Sequence, residues 1–290
     1  MSLELSYEIL ALLFAVAALA GFIDAIAGGG GLLSIPALLW TGMSPIQAIA
    51  TNKLQASMGS FTATANYVRH GLVSPRQLWF AVLMTLLGSM TGALLVQRLP
   101  NTWLETLVPV MLILIALYFL FSKRIRLESG EQRISLTAFS VLIGFTVGFY
   151  DGFFGPGTGS FFTIAFVLLL GYALPRAIGG TKLLNFTSNV VALGVFILSG
   201  HILWVAGIVM GSGQIIGSYL GSHLAVKHGA RLIRPLLSIL TTIGPLSCLT
   251  SFGGELDGRD TSRPFSFTNE VVTMKKISMM NTTSSIGVML

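Results

Sequence analysis

At 290 residues with 53% apolar and only 10% charged side chains, the chain excludes an ordinary soluble domain, which carries about 25% charged residues. The net charge of +6 comes entirely from the first 249 residues, where 13 Lys/Arg stand against 7 Asp/Glu. Those basic residues sit mostly at the ends of apolar runs and report orientation; no aromatic-interleaved basic patch points to nucleic acid.

About 20 apolar residues cross a bilayer, and the runs follow one another along the chain. The first, at 9–27, comes after Glu4 and Glu8 without a basic n-region or a cleavage site, and reads as a retained span rather than a signal peptide. Beyond it the expected spans of the first half are 31–42, 46–68, 78–97 and 103–121. Those of the second are 135–154, 158–172, 175–199, 202–226 and 231–249. The expected organisation is a first transmembrane repeat (1–121), a cytoplasmic loop (122–134), a second transmembrane repeat (135–249) and a polar C-terminal tail (250–290). The expected fold class is all-α, a polytopic transmembrane helical bundle. Cys248 is the single cysteine, so neither a disulfide framework nor a cysteine metal site is expected. His70, His201, His223 and His228 fit no metal-ligand spacing, and no metal or cofactor is expected.

The halves resemble each other. GFIDAIAGGGG (21–31) matches GFYDGFFGPGT (148–158) at an offset of 127, pairing Asp24 with Asp151 and Gly28 with Gly155. Further on, an offset of 129 pairs Lys53 with Lys182, Gly71 with Gly200, Gly88 with Gly217, Ser89 with Ser218 and Gly92 with Gly221. The basic connections 69–76, 123–133 and 227–234 are expected in the cytoplasm; 41–45, 98–105 and 199–201 lack a positive excess, as external connections do. Gly71 then lies inside and its partner Gly200 outside, the signature of inverted repeats, a recurring transporter architecture with solute bound between the halves.

Four glycines in a row cost about 1 kcal/mol each in a helix relative to alanine, and the equivalent stretch GPGTGS (155–160) contains Pro156, which no helix interior accommodates well. Both halves therefore carry a predicted helix break. Irregular backbone survives at membrane depth only when buried or lining a cavity, and half-helix ends offer free amides to anions. Gly28, Gly29, Gly30 and Gly31, with Gly155, Gly157 and Thr158, are accordingly candidate solute-binding residues. The pairs Gly88/Gly92 and Gly217/Gly221 instead read as close-packing surfaces of the small-xxx-small kind.

Lys53 lies seven residues into its span, about 10 Å deep at 1.5 Å per residue, and Lys182 is its equivalent. Two readings compete. Either the lysines are counter-charges for an anionic solute, with Asn52, Gln55, Thr181 and Asn185 adding hydrogen bonds, or they are neutralised internally by Asp24 and Asp151 or snorkel to an interface. The aspartates precede the breaks by four residues and are candidates either for proton coupling or for capping the freed amides.

GFIDAIAGGGGLLSIPALLWTGMSPIQAIATNKLQASMGS (21–60), with GFYDGFFGPGTGSFFTIAFVLLLGYALPRAIGGTKLLN (148–185), closely resembles the TauE/SafE family of membrane transporters, including its YfcA-like branch, over about residues 5–240. The resemblance implies an inner-membrane transporter and, from the family's association with sulfite and organosulfonate export, a small anion as solute. Residue by residue it reaches only the two glycine breaks and the two lysine segments. The expectation is a proton-coupled secondary exporter, not an enzyme, whose partners are a small anionic solute and the lipid bilayer; a homo-oligomer is compatible with the sequence. The rivals are a passive anion channel and a non-transport membrane assembly factor. After about Leu240 the resemblance ends: Pro245 interrupts the expected last span, and 250–290 holds eight charged residues, four of each sign. That composition suits a flexible tail, read as a product of frameshift, truncation or recombination, with a native divergent tail as the alternative.

Overall fold

The computed structural model describes residues 5–121 and 130–228 of the chain, and among these every regular element is helical. The helices are α1 (Tyr7–Ala27), α2 (Gly31–Trp40), α3 (Pro45–Arg69), α4 (Trp79–Val96), α5 (Asn101–Phe121), α6 (Leu136–Phe139), α7 (Phe145–Phe153), α8 (Thr158–Leu170), α9 (Leu174–Ser199) and α10 (Trp204–His228). A π-helical turn, Ser140–Gly144, joins α6 to α7, and together they make one apolar stretch, Leu136–Phe153, long enough to cross a membrane. Tyr7–Ala27, Trp79–Val96 and Leu174–Ser199 are also long and apolar enough to do so. The expected last span, 231–249, and the tail lie outside the described residues.

Local chemistry sets the ends. The Ser6 and Ser135 hydroxyls accept from the amides of Ile9 and Ala138 at 3.4 and 3.1 Å, and Ser44 and Gln47 form a capping box ahead of Pro45 at the start of α3, each satisfying amides that a helix start leaves open. Gly28, at φ +73°, turns the chain out of α1. Two expected spans, 31–42 and 158–172, end two residues earlier, at Trp40 and Leu170. Alpha-helices α2 and α8 hold 10 and 13 residues, about 15 and 20 Å, short of the roughly 30 Å hydrocarbon core.

The fourth helix of each half lies against the first helix of the other. A Cβ at Gly88 or Gly92 of α4 would come within 2.2 or 2.1 Å of the Phe145 or Phe149 carbonyl oxygen, and a Cβ at Gly217 or Gly221 of α10 within 1.9 or 2.4 Å of those of Ala18 or Phe22. Backbone therefore meets backbone at both crossings, as expected for small-xxx-small faces. The contacts are reciprocal: Ala18 and Phe22 stand 127 residues before Phe145 and Phe149, and Gly88 and Gly92 stand 129 before Gly217 and Gly221. Ser89 Oγ donates to the Ser188 carbonyl at 2.7 Å, and its equivalent Ser218 Oγ to that of Gly21 at 3.2 Å. Inside these crossings lie α3 and α9, whose polar residues Thr51, Asn52, Lys53, Thr181, Lys182 and Asn185 are all buried.

Apolar side chains such as Leu83, Leu94, Val205, Ile208 and Ile216 are exposed on the outer helices, as a lipid-facing surface requires. All four tryptophans, Trp40, Trp79, Trp103 and Trp204, lie at or near helix ends and are 49–69% exposed. Such placement anchors a bundle at the membrane–water interface.

Candidate functional site

The two helix breaks meet at the centre of the bundle. A Cβ on Gly28 would lie 2.5 Å from the Gly159 carbonyl carbon, and one on Gly159 would lie 2.7 Å from the Gly28 Cα. Only glycine permits this approach. Ser160 Oγ seals it by donating to the Gly28 carbonyl at 2.5 Å. Positive φ at Gly28, Gly29, Gly155 and Gly157 explains the glycine demand in both breaks, since other residues reach that region with strain.

Each lysine crosses to the other half. Lys53 Nζ on α3 donates to Asp151 Oδ1 at 2.8 Å, to the Asp151 carbonyl oxygen, and to Asn189 Oδ1 at 3.1 Å. Lys182 Nζ on α9 donates to Asp24 Oδ2 at 2.8 Å. Each lysine is thus ion-paired with an aspartate of the other half. Both ammonium groups are fully buried; the Asp151 side chain is 4% exposed and that of Asp24 21%. Asp24 Oδ1 also accepts from the Gly29 and Gly30 amides at 3.0 and 3.3 Å. Asp151 is held by the Ser188 hydroxyl at its other oxygen.

Beside these pairs lies a cavity of about 30 Å³, room for roughly two waters. Of the expected residues, Asp24, Gly29, Gly30, Gly31 and Asn52 line it from the first half; Asp151, Gly155, Gly157, Thr158 and Asn185 do so from the second. Five lie elsewhere. Gly28 is packed on Gly159, Gln55 Nε2 donates to Asn52 Oδ1 at 2.8 Å, and the Thr181 and Thr163 hydroxyls are 3.0 Å apart. Lys53 and Lys182 stand behind their carboxylates. The wall thus presents the acids, with the bases one layer back.

Ala56, Gly159, Asn189 and Gln214 also line the cavity, and residue reasoning had not singled them out. Asn189 follows Asn185 by one helical turn, and Gln214 is a lone long polar side chain in the small-residue run GSGQIIGS; either signal was available. Among the described residues no group of three His, Cys, Asp or Glu could hold a metal. His70 and His201 bond to the Asn66 carbonyl and the Ser199 hydroxyl, and His223 stacks on Tyr219.

Residues 13–246 match the family described as sulfite exporter TauE/SafE. The chain is 48% identical over 235 residues to the Escherichia coli K12 protein named "Probable membrane transporter protein YfcA", covering 81% of this chain and 87% of that one. It is 45% identical over 239 residues to a "Probable membrane transporter protein" of Haemophilus influenzae, covering 82% and 94%. A further such protein, ORF9 of a Sinorhizobium species, is 44% identical over 238 residues, covering 82% and 91%. No solved structure matches. The match takes in both helix breaks, both lysines and both glycine crossings, and the chain belongs to the TauE/SafE sulfite exporter family of membrane transporters.

Proposed function

We propose that the chain carries a small anion such as sulfite or an organosulfonate across the inner membrane together with a proton, through the cavity between the two breaks. The observation that carries this reading is the layering of charge. Asp24 and Asp151 face the cavity while Lys182 and Lys53 sit behind them. With both carboxylates ionised, the four charges cancel and the wall repels an anion. Protonating one carboxylate leaves its lysine uncompensated in a low-dielectric setting, where the lysine attracts an anion strongly. Solute and proton then bind together, and the occupied site is neutral again. Asp24 is the more accessible acid, at 21% exposure against 4% for Asp151.

Two inverted repeats, 1–121 and 135–249, would let the site open to each side in turn. What supports them is the matched spacing and the reciprocal crossings of α1 with α10 and α4 with α7. In this scheme direction follows the combined gradient of solute and proton, so an anion produced in excess inside the cell leaves it. A carrier fits better than a passive channel because the breaks close on each other at Gly28 and Gly159.

The test is flux of labelled sulfite and sulfoacetate into proteoliposomes, with and without a pH gradient. Accumulation above equilibrium when the outside is acid, abolished by a protonophore, is the expected outcome. Flux that ignores the gradient would make the protein a channel, and no flux of either solute would remove them as cargo.

A further inference from the structure

We propose that Gln214 is a solute-binding residue of the cavity, one that reads the anion by hydrogen bond rather than by charge; the inference rests on the cavity being the transport site. Gln214 belongs to α10 and is 3% exposed, yet it reaches the cavity wall. Two bare backbones make room for it. A Cβ at Gly21 on α1 would stand 2.6 Å from Gln214 Oε1, and a Cβ at Gly59 on α3 would stand 2.5 Å from the same atom. Among the described residues the Gln214 carboxamide has no hydrogen-bond partner. Burying an amide unpaired is unfavourable, so an amide held this way at a cavity is paired by what occupies it.

A second amide is in the same condition. Asn185, on α9, is 5% exposed and lines the cavity, and its Oδ1 has no partner. Each carboxamide offers two N–H donors to the oxygens of an anion, and the free Asn185 Oδ1 is an acceptor that only a protonated oxygen can satisfy. Together they suit a compact sulfur oxyanion that carries one hydroxyl beside its charged oxygens, and they add no charge to the proton balance. The arrangement is one-sided. The residue equivalent to Gln214 at the offset of 129 is Thr85, which is fully buried with an unpartnered hydroxyl and does not line the cavity. Gln214 therefore gives the site a recognition element from the second half alone.

The experiment uses the full chain in proteoliposomes and compares Gln214→Met, similar in size but without amide donors, with Thr85→Val. Gln214→Met is expected to raise KM for sulfite about tenfold or more, the effect of losing one hydrogen bond to a charged group, with the dependence on the pH gradient retained. Thr85→Val, which gives up no bond, keeps the wild-type KM. A Gln214→Met protein with wild-type KM overturns the inference. A second measurement needs no turnover and covers a misfolded variant or a wild type that moves no sulfite, a result that would instead sink the transport reading. In a Cys248→Ser chain, Gln214→Cys is expected to react with a small sulfonated methanethiosulfonate, and Thr85→Cys is not. An unreactive Gln214→Cys protein overturns the assignment.

Discussion

The behaviour of this protein turns on two lysines that are buried, paired and unequal. Among the described residues Lys53 has three acceptors, two on Asp151 and one on Asn189, whereas Lys182 has Asp24 alone, which is partly open to the cavity. Removing one member of a buried pair leaves the other uncompensated and costs about 3–5 kcal/mol. Lys53→Met should therefore lower the thermal midpoint in detergent more than Lys182→Met, and adding Asp151→Asn to Lys53→Met should recover most of the loss. Equal effects of the two single changes would contradict this inequality. The depth of both lysines was legible in the sequence, and so was the presence of two carboxylates. Their cross-pairing was not, because Asp151 lies 98 residues from Lys53 and Asp24 158 residues from Lys182. A solute anion and a distant carboxylate satisfy a buried ammonium group equally well on paper.

At the scale of elements, glycine determines how closely the helices approach. Gly92 of α4 sits against the Phe149 carbonyl, with 2.1 Å available where a Cβ would stand. Gly92→Leu should prise α4 from α7 and abolish the folded, monodisperse protein in size-exclusion chromatography. Gly194→Leu, with nothing within 4 Å of its Cβ position, should leave the profile unchanged. A well-folded Gly92→Leu protein would show that the crossing is not close-packed. The breaks and the small-residue faces were readable beforehand, because glycine and proline carry their meaning locally. The exact ends of α2 and α8 were not: each stops two residues before the expected end, where Thr41 and Gly171, the latter at φ +68°, cap the helices, and hydropathy does not register a cap.

For the whole molecule, the first helix of each half is clasped by the fourth helix of the other, and each half's acid neutralises the other half's base. In the proposed carrier, relative motion of the halves would disturb both ion pairs and both breaks at once and so couple opening to charge. The matched spacing of the two halves was visible in the sequence, at an offset of 127 through the breaks and of 129 beyond them. Which residues close the cavity was not, since Gln214 departs from its equivalent Thr85 and such a departure has no counterpart to flag it.

The central claim is that one proton accompanies each negative charge, so that the loaded site is neutral. The measurement that tests it most directly is sulfite uptake into proteoliposomes under a valinomycin-clamped potassium potential at equal pH, beside uptake under a pH gradient at zero potential. The account predicts uptake driven by external acid and none driven by potential alone. Uptake that follows the potential and ignores the pH gradient would contradict it.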